Sequence, residues 1–329
     1  MNIKKIGLTA LAGSLVATSA YAGALSLSGS ASISYSDWSG NSTTTATNAA
    51  ANGNFGMDQD ITASGSGELD NGFVVSLSHA LAASGATSST SSITVDMGDM
   101  GTLSYNDSWM GGGLRALDDI TPTAWEEATD GHTNGVQAAM GNGTGFSYAL
   151  PEIAGAKISI QYSDNLTTDS ITNDGEVSAT GTDNGTSHSI GIQYPVGDSV
   201  TIYGGIGNEA QADGNDVEHS TVGVKATFGA VSVGIQRNDE DDTAATSATD
   251  LDTTIIGVSF MVNENLSLSY GTHNTSSSAS SVDQDIDSIQ AAYSMGGISV
   301  KAYNSQADGV ANASGVTSEK TEIMVSFAF

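Results

Sequence analysis

The stretch LSLSGSASISY, residues 25–35, decides the fold of this chain. Serine fills every even position, and the apolar residues share the odd positions: Leu25, Leu27, Ala31, Ile33 and Tyr35. Successive side chains of a β-strand point to opposite faces, so this alternation predicts a strand with one apolar and one polar face. Such a strand lies between an apolar phase and water.

The same alternation returns along the rest of the chain, in segments separated by tight turns and long polar stretches in strict succession. Val222, Val224, Ala226 and Phe228, for example, alternate with Lys225 and Thr227. The tight turns are predicted at Leu69–Gly72, Gly98–Gly101, Glu152–Gly155, Gly197–Asp198, Gly229–Ala230, Asn263–Asn265 and Gly296–Gly297. The long loops are predicted near residues 37–56, 83–90, 106–134, 164–186, 208–217, 238–250, 271–284 and 304–318.

Seven turns and eight loops separate sixteen strands. An even strand number, with short turns at one end and long loops at the other, is the layout of a transmembrane barrel. The sequence therefore predicts an all-β fold in which residues 23–329 form a 16-stranded antiparallel transmembrane β-barrel, with short periplasmic turns and long extracellular loops. A barrel of this size is wide enough to leave an aqueous lumen.

The first 22 residues read as a secretory signal peptide. Lys4 and Lys5 precede an uncharged apolar run, and Ala20-Tyr21-Ala22 has the small-x-small pattern of a cleavage site. We expect cleavage after Ala22 and export through the Sec pathway. Residues 23–329 would then be the mature chain.

The composition excludes several classes of function. The chain has no cysteine, so it has no disulfide framework, thiol nucleophile or Cys-based metal site. With 37 acidic and 8 basic residues, it is electrostatically unsuited to nucleic acid. The five histidines are scattered, without the spacing of a catalytic triad or a metal site, so no enzyme and no cofactor are expected. The acidic run Asn238–Asp242 could bind Ca²⁺ through its oxygens, although such a run more often forms a solvated loop.

A soluble β-sandwich, or a secreted acidic surface protein such as an adhesin, would also show alternating strands. The alternation of short and long connections has no reason to exist in a sandwich. A Ca²⁺-binding β-helix would require a GGxGxD repeat, and the chain lacks one. The barrel is therefore the favoured interpretation, and the adhesin remains an alternative.

The third long loop, residues 106–134, is the longest stretch without alternation. It contains Trp109, Met110, Leu114 and Trp125, which a solvent-exposed loop would not bury, so we expect it to fold back into the lumen. A short helix is predicted at residues 124–128. The charged residues of this loop are the candidate pore constriction: Asp107, Arg115, Asp118, Asp119, Glu126, Glu127 and Asp130.

Strand parity assigns six charged residues to the lumen-facing wall. Each alternates with apolar neighbours and therefore points away from lipid. For the lysines this placement has two explanations, a role in the channel or simple avoidance of lipid, where a cation costs about 2–4 kcal/mol at the midplane. The six are Glu68, Asp96, Lys157, Lys225, Lys301 and Lys320.

The final segment, TEIMVSFAF, places Ile323, Val325, Phe327 and Phe329 on one face. A last strand ending in a terminal phenylalanine resembles the signal by which the outer-membrane assembly machinery recognises its barrels. The resemblance implies that Phe327 and Phe329 are the assembly signal.

One further stretch resembles a known family. The run Asp96-Met97-Gly98-Asp99-Met100-Gly101, followed by a short strand and an acidic loop with Leu117-Asp118-Asp119, is similar to the general porins of alphaproteobacteria, the Rhodobacter type. The resemblance implies a homotrimer in outer-membrane lipid whose inward-folded third loop constricts a pore for small hydrophilic solutes and ions. A substrate-specific channel is the alternative within this class. The chain departs from the family in having almost no arginine for the cluster usually found opposite the loop.

The acids of loop three outnumber its single basic residue, Arg115. Fixed charges in a narrow site concentrate counter-ions and repel like charges. We therefore expect a cation-preferring pore with Asp118, Asp119, Glu126 and Glu127 as its main determinants. The alternative is that these acids are solvated or paired with Arg115.

Overall fold

The computed structural model describes residues 25–42, 53–82, 89–106, 111–132, 144–166, 183–210, 216–243 and 249–328. The predicted signal peptide, Asp107 and Phe329 lie outside these ranges. The described chain forms one closed ring in which each strand pairs antiparallel with its sequence neighbours and the last strand pairs with the first. Sixteen strands and closure confirm the predicted barrel, and the ring has no free sheet edge, in contrast to a sandwich.

The strands divide into a shorter set and a longer set. Those flanking loop three are the shortest, with five residues in β5 and six in β6. The bounds are β1 Ser26–Gly40, β2 Asn54–Glu68, β3 Val74–Ala82, β4 Ser89–Asp96, β5 Thr102–Asn106, β6 Thr144–Ala149, β7 Lys157–Leu166, β8 Asp183–Val196, β9 Val200–Ala210, β10 Asp216–Phe228, β11 Val231–Asp242, β12 Leu251–Asn263, β13 Leu266–Ser277, β14 Gln284–Met295, β15 Ile298–Asp308 and β16 Thr317–Ala328.

The barrel wall is apolar outside and polar inside, the reverse of a soluble protein. Outward positions are apolar and exposed, for instance Ile206 at 64 % and Phe228 at 63 % of the side chain's maximal surface. Inward positions are mostly polar, such as Gln236 and Thr253, and are buried under loops that enter the lumen. Within the described residues, no helix is both long and apolar enough to cross a bilayer.

The seven tight turns lie where the sequence predicts them, but several strands run further at the loop end. The loops predicted to begin at 238 and 271 begin only after Asp242 and Ser277. Both faces of the wall are polar there, so hydrophobic alternation disappears while the backbone ladder continues. Outward pairs such as Asn274 with Asp285 (2.6 Å) and Tyr270 with Asp287 (2.6 Å) join these extended ends.

Loop three contains a 3₁₀ helix over Gly113–Ile120, and two shorter ones lie at Gly98–Met100 and Val310–Asn312. The helix predicted at residues 124–128 is wrong, since bends and turns occupy that stretch. The backbone amides of Ala124, Trp125 and Glu126 instead bond to Ser269 and Gln290 of the barrel wall.

Candidate functional site

Loop three lies against the inner wall of the barrel over much of the circumference. It begins after β5, docks on β7, β8 and β9 through the 3₁₀ helix, and continues past β11–β15 to β16 and β1. Leu114 and Leu117, both with 0 % of their surface exposed, pack on Tyr203 of β9. The loop therefore narrows the lumen.

A row of inward-facing glycines makes room for the loop. A methyl group added at Gly191 would overlap the Gly113 carbonyl, and one at Gly205 would lie 2.8 Å from Leu114 Cδ2. Further along, Gly234 and Gly257 receive Pro122 in the same way, with a built Cβ only 2.6 Å from its atoms. Glycine inside a strand often marks such a close backbone approach. The sequence analysis missed this row, although glycines at inward positions of successive strands were its signal.

Side chains of the wall hold the loop backbone. Ser189 accepts a hydrogen bond from the Leu114 amide (3.1 Å), and Gln193 donates one to the Ala116 carbonyl (2.8 Å). Gln290 makes three bonds, accepting from the Trp125 and Glu126 amides and donating to the Glu126 carbonyl. The polar inner face thus satisfies backbone groups that no helix or sheet of the loop could pair.

The end of loop three is fastened by a charged cluster around Lys320 of β16. Lys320 lies 2.6 Å from Asp130 and 3.0 Å from Glu322, and Tyr303 donates a hydrogen bond to the same Asp130 carboxylate (2.5 Å). The ammonium also sits 5.1 Å from the Trp38 ring centre. Lys320 is only 7 % exposed, so its ammonium is shielded from solvent, whereas the Asp130 side chain is 40 % exposed. We call Asp130, Lys320, Glu322 and Tyr303 the latch.

The latch gives a first prediction. Lys320→Met leaves the carboxylates of Asp130 and Glu322 close together without their shared cation, which destabilises the fold, while the 40 % exposure of Asp130 reduces the effect through solvent screening. We expect a clearly lower denaturant midpoint for refolded protein, measured by loss of β-sheet circular dichroism.

The control for this variant is Lys157→Met. Its ion pair with Glu152 is 4.0 Å long with both side chains more than 60 % exposed, and such a pair contributes about 0–1 kcal/mol. Equal shifts in the two variants would contradict the role of the latch.

The predicted acids of the constriction fall into two groups. Asp118, Asp119 and Glu127 have carboxylate oxygens within 4.8 Å of one another. Burial, with the nearby charges of Asp118 and Asp119, raises the pKa of Glu127 to about 9, so Glu127 carries a proton at neutral pH. Burial likewise raises the pKa of Glu126. Asp130, in contrast, belongs to the latch.

Arg115, the cation of loop three, is half-buried. Burial lowers the pKa of its guanidinium, although Asp118, Glu209 and Asp119 act in the opposite direction. An arginine ionises so far above neutrality that it stays charged. Arg115 thus offsets part of the negative charge beside Asp118 and Asp119.

The strands β2–β5 lie outside the part of the wall on which loop three docks, and they contain no lysine or arginine. From residue 6 to residue 156 the sequence contains one basic residue, Arg115, which lies in the loop itself. Asp58 and Asp60 share the inward face of β2, since Met57 and Ile61 beside them are exposed outward. The sequence analysis noted the missing arginines but gave no role to these two acids, which lie just after the loop predicted at residues 37–56.

The six wall residues assigned by parity occupy inward positions of their strands. Lys301 lies 5.7 Å from the Trp125 ring centre, and Lys320 belongs to the latch. The remaining four lie nearer the turn ends of their strands: Glu68, Asp96, Lys157 and Lys225.

The acidic run Asn238–Asp242 is part of β11, so its side chains alternate between the two faces. Asn238 and Glu240 point inward, whereas Asp239 points outward to Arg237 (2.9 Å). The solvated loop predicted there is wrong. Carboxylates on opposite faces of a strand also do not converge on one Ca²⁺ ion.

Comparisons with known proteins agree with this architecture. A family profile described as Gram-negative porin matches residues 7–329. No curated protein sequence that was compared matches the chain. Among solved structures, similar folds include the anion-selective porin from Comamonas acidovorans (13 % identity, TM-score 0.65, 93 % of this chain and 99 % of that one). The in-vitro folded OmpT of Vibrio cholerae in its trimer form (11 %, TM-score 0.67, 93 % and 99 %) and a mutant Rh. blastica porin (14 %, TM-score 0.62, 93 % and 100 %) are also similar.

The family match covers nearly the whole chain, and the barrel, its apolar exterior and its narrowed polar lumen are those of a channel. At these identities the structural likeness establishes the fold, and the family match establishes the membership. The chain belongs to the Gram-negative porins, and it is an outer-membrane barrel whose lumen serves passive diffusion.

Proposed function

We propose that this porin passes small hydrophilic solutes and ions with a preference for cations. The observation that carries the proposal is the negative charge inside the narrowed lumen. Loop three contributes Asp118, Asp119 and Glu126, and the inward face of β2 contributes Asp58 and Asp60. No lysine or arginine stands on β1–β6 to balance them.

Several positively charged side chains of the lumen are held by neighbouring carboxylates or aromatic rings. Lys320 is held between Asp130 and Glu322, and Lys301 lies over the Trp125 ring. Arg115 offsets one charge of the Asp118 and Asp119 pair. Because the Debye length is about 8 Å at physiological ionic strength, the net negative charge acts across a gap of comparable width. Glu127 adds to this charge only where its carboxyl ionises.

Reversal potentials in a KCl gradient across a planar bilayer test the proposal. We expect the sign of a cation-preferring pore for the wild type. Neutralising the four acids together, Asp118→Asn, Asp119→Asn, Glu126→Gln and Glu127→Gln, should move the permeability ratio of K⁺ over Cl⁻ several-fold toward unity. The effect should be larger at low salt, where screening is weaker.

The matched control neutralises four acids on the outer face of the extended strand ends. These are Asp252→Asn, Asp285→Asn, Asp287→Asn and Asp308→Asn, which replace the same number of acids but lie outside the lumen. An anion-preferring wild type, or an equal change in both variants, would contradict the proposal. The fold shared with an anion-selective porin does not decide the sign, because wall charges rather than the fold set the selectivity.

The proposal also includes assembly. We infer a homotrimer, supported by the similar fold of the OmpT trimer form. We further infer export through the Sec pathway by residues 1–22 and recognition by the outer-membrane assembly machinery through Phe327 and Phe329. Phe327 lies on the outward face of β16, where it pairs with Ile298 and Ala31 and stays 39 % exposed.

A further inference from the structure

We propose that the outer face of the barrel binds one lipid whose headgroup carries both a phosphate and an amine, as in phosphatidylethanolamine. The site is a furrow across β8–β11, on the face of these strands that points away from loop three. The furrow runs from the apolar band of the wall toward the loop end of the strands. Because it lies on the outer surface alone, the lipid site is independent of the ion preference proposed above.

The lower part of the furrow is apolar. Its volume is about 770 Å³, within the range of about 300–1,000 Å³ that small-molecule sites occupy. The depression exists because Gly204 of β9 has no side chain between Ile192 and Val222, its neighbours on the adjacent strands. Gly204 shares the outward face of β9 with Ile202 and Ile206, which are exposed. This part of the furrow fits an acyl chain.

The upper part of the furrow has a volume of about 560 Å³ and begins where the lower part ends. Ile190 and Ile206 line it, and each lies two positions nearer the loop end than a residue of the lower part, a step of about 6.6 Å along a strand. Beyond them the lining becomes polar, with His188, Glu218 and Asp241 on the outward face. An amphipathic molecule that lies along the strands therefore contacts apolar side chains first and polar ones at the loop end.

Arg237 of β11 stands at the boundary between the two parts. Among the residues that the structure describes, it is the one lysine or arginine on the outer face of the wall, since the lysines of β7, β10, β15 and β16 point inward. Arg237 donates hydrogen bonds to Asp239 (2.9 Å) and Asp252 (2.7 Å), which hold the guanidinium in place. These bonds use two of its five N–H groups, and its side chain is 52 % exposed, so the guanidinium can also bind a phosphate.

The carboxylates around the furrow favour a positive charge in the same ligand. Glu218 and Asp241 stand directly opposite each other on β10 and β11, both on the outward face. Like charges in this position destabilise a strand pair, so a cation between them is favoured. With Asp239 and Asp252 there are four acids around Arg237, and they would repel a purely anionic headgroup. A headgroup with both charges matches this arrangement, because its phosphate binds Arg237 while its ammonium donates to Glu218 and Asp241.

Native mass spectrometry of the delipidated, detergent-solubilised full barrel tests the proposal. The probes are phosphatidylethanolamine, phosphatidylglycerol, which lacks the amine, and phosphatidylcholine, whose amine has no N–H group. We expect one phosphatidylethanolamine per chain, bound roughly tenfold more tightly than either of the others, because each of those loses charge-assisted hydrogen bonds. Equal binding of the three lipids, or tighter binding of phosphatidylglycerol, would overturn the proposal.

Two variants examine the headgroup. Arg237→Gln should weaken the binding of phosphatidylethanolamine roughly tenfold, since it removes the phosphate ligand. Its control, Lys157→Gln, removes the same charge from an exposed inward position at the turn end and should bind as the wild type does. Glu218→Gln with Asp241→Asn should abolish the preference for phosphatidylethanolamine over phosphatidylglycerol. An unchanged preference in this double variant would contradict the role given to the amine.

Gly204→Leu examines the acyl chain, because the new side chain fills the lower part of the furrow. The control Gly65→Leu places the same side chain on the outward face of β2, where an added Cβ would lie 3.9 Å from Leu25. We expect weaker binding of phosphatidylethanolamine in Gly204→Leu and wild-type binding in Gly65→Leu. Equal weakening in the two variants would show that the furrow is not the site. Should Gly204→Leu fail to fold, the exposed headgroup variants decide the proposal alone.

Discussion

Replacing Asp58 and Asp60 by lysine is expected to reverse the selectivity of the pore, from cation-preferring to anion-preferring. Both residues lie on the inward face of β2, next to β1. The double substitution changes the charge at these two positions by four units, from two negative to two positive. Because β1–β6 contain no lysine or arginine in the wild type, the two new lysines would be the first positive charges on these strands.

The reason for so large an effect is the position of the charges. A charge on the wall of a narrow passage acts on every ion that crosses, whereas a charge in an outer loop is screened within about a Debye length. Reversal potentials in a KCl gradient at low and high salt would measure the change. The permeability ratio should invert at low salt and approach unity as salt rises.

The matched control is Asp285→Lys with Asp287→Lys. These residues lie on the outward face of β14 near the loop end, so the same change in net charge stays outside the lumen. We expect the control to keep the wild-type sign of the reversal potential. If both double variants shift it equally, total charge rather than charge in the lumen controls the selectivity.

The wall of the barrel could be predicted from the sequence because one face must be apolar. Serine and apolar residues alternate in β1, and apolar and polar residues alternate in the same way over Val222–Phe228 of β10. This two-residue period predicts both that each segment is a strand and which of its side chains face outward. The tight turns could also be predicted from the sequence, because glycine marks them. Gly197 and Gly229, for example, have positive φ angles of 64° and 60°, which glycine adopts readily. These features depend on local chemistry alone.

The strand ends and the path of loop three could not be predicted in this way. Beyond the apolar band both faces are wet, so the pairs of Asn274 with Asp285 and Arg237 with Asp252 leave no hydrophobic signal. The path of the loop depends on contacts between residues far apart in sequence, such as Asp130 with Lys320. Apolar residues in the loop predicted its entry into the lumen, but not which strands would receive them.

Undocking loop three is the second change with a large expected effect. In the double variant Leu114→Ala, Leu117→Ala, two fully buried side chains lose their contacts with Tyr203. Each such truncation costs about 2–5 kcal/mol. The loop packs inside a ring that is closed by its own backbone ladder, so we expect the barrel to remain folded while the 3₁₀ helix leaves the wall.

Trypsin provides a sharp readout, because Arg115 is the one basic residue between Lys5 and Lys157. In the wild type Arg115 is half-buried inside the barrel, where a protease cannot reach it. A released loop can extend through the loop end, so cleavage at Arg115 should yield a fragment ending there, while β-sheet circular dichroism stays unchanged. Single-channel conductance should become larger or fluctuate.

Leu268→Ala is the control for this experiment. Leu268 faces outward from β13 and is 42 % exposed, so its truncation should leave Arg115 protected. Resistance to trypsin in the double variant, with wild-type conductance, would show that other contacts hold the loop. The glycine row and the Gln290 bonds are those contacts, and they would then carry the docking without the two leucines. Cleavage at Arg115 would instead identify the leucine anchor as the part of the constriction on which the rest depends.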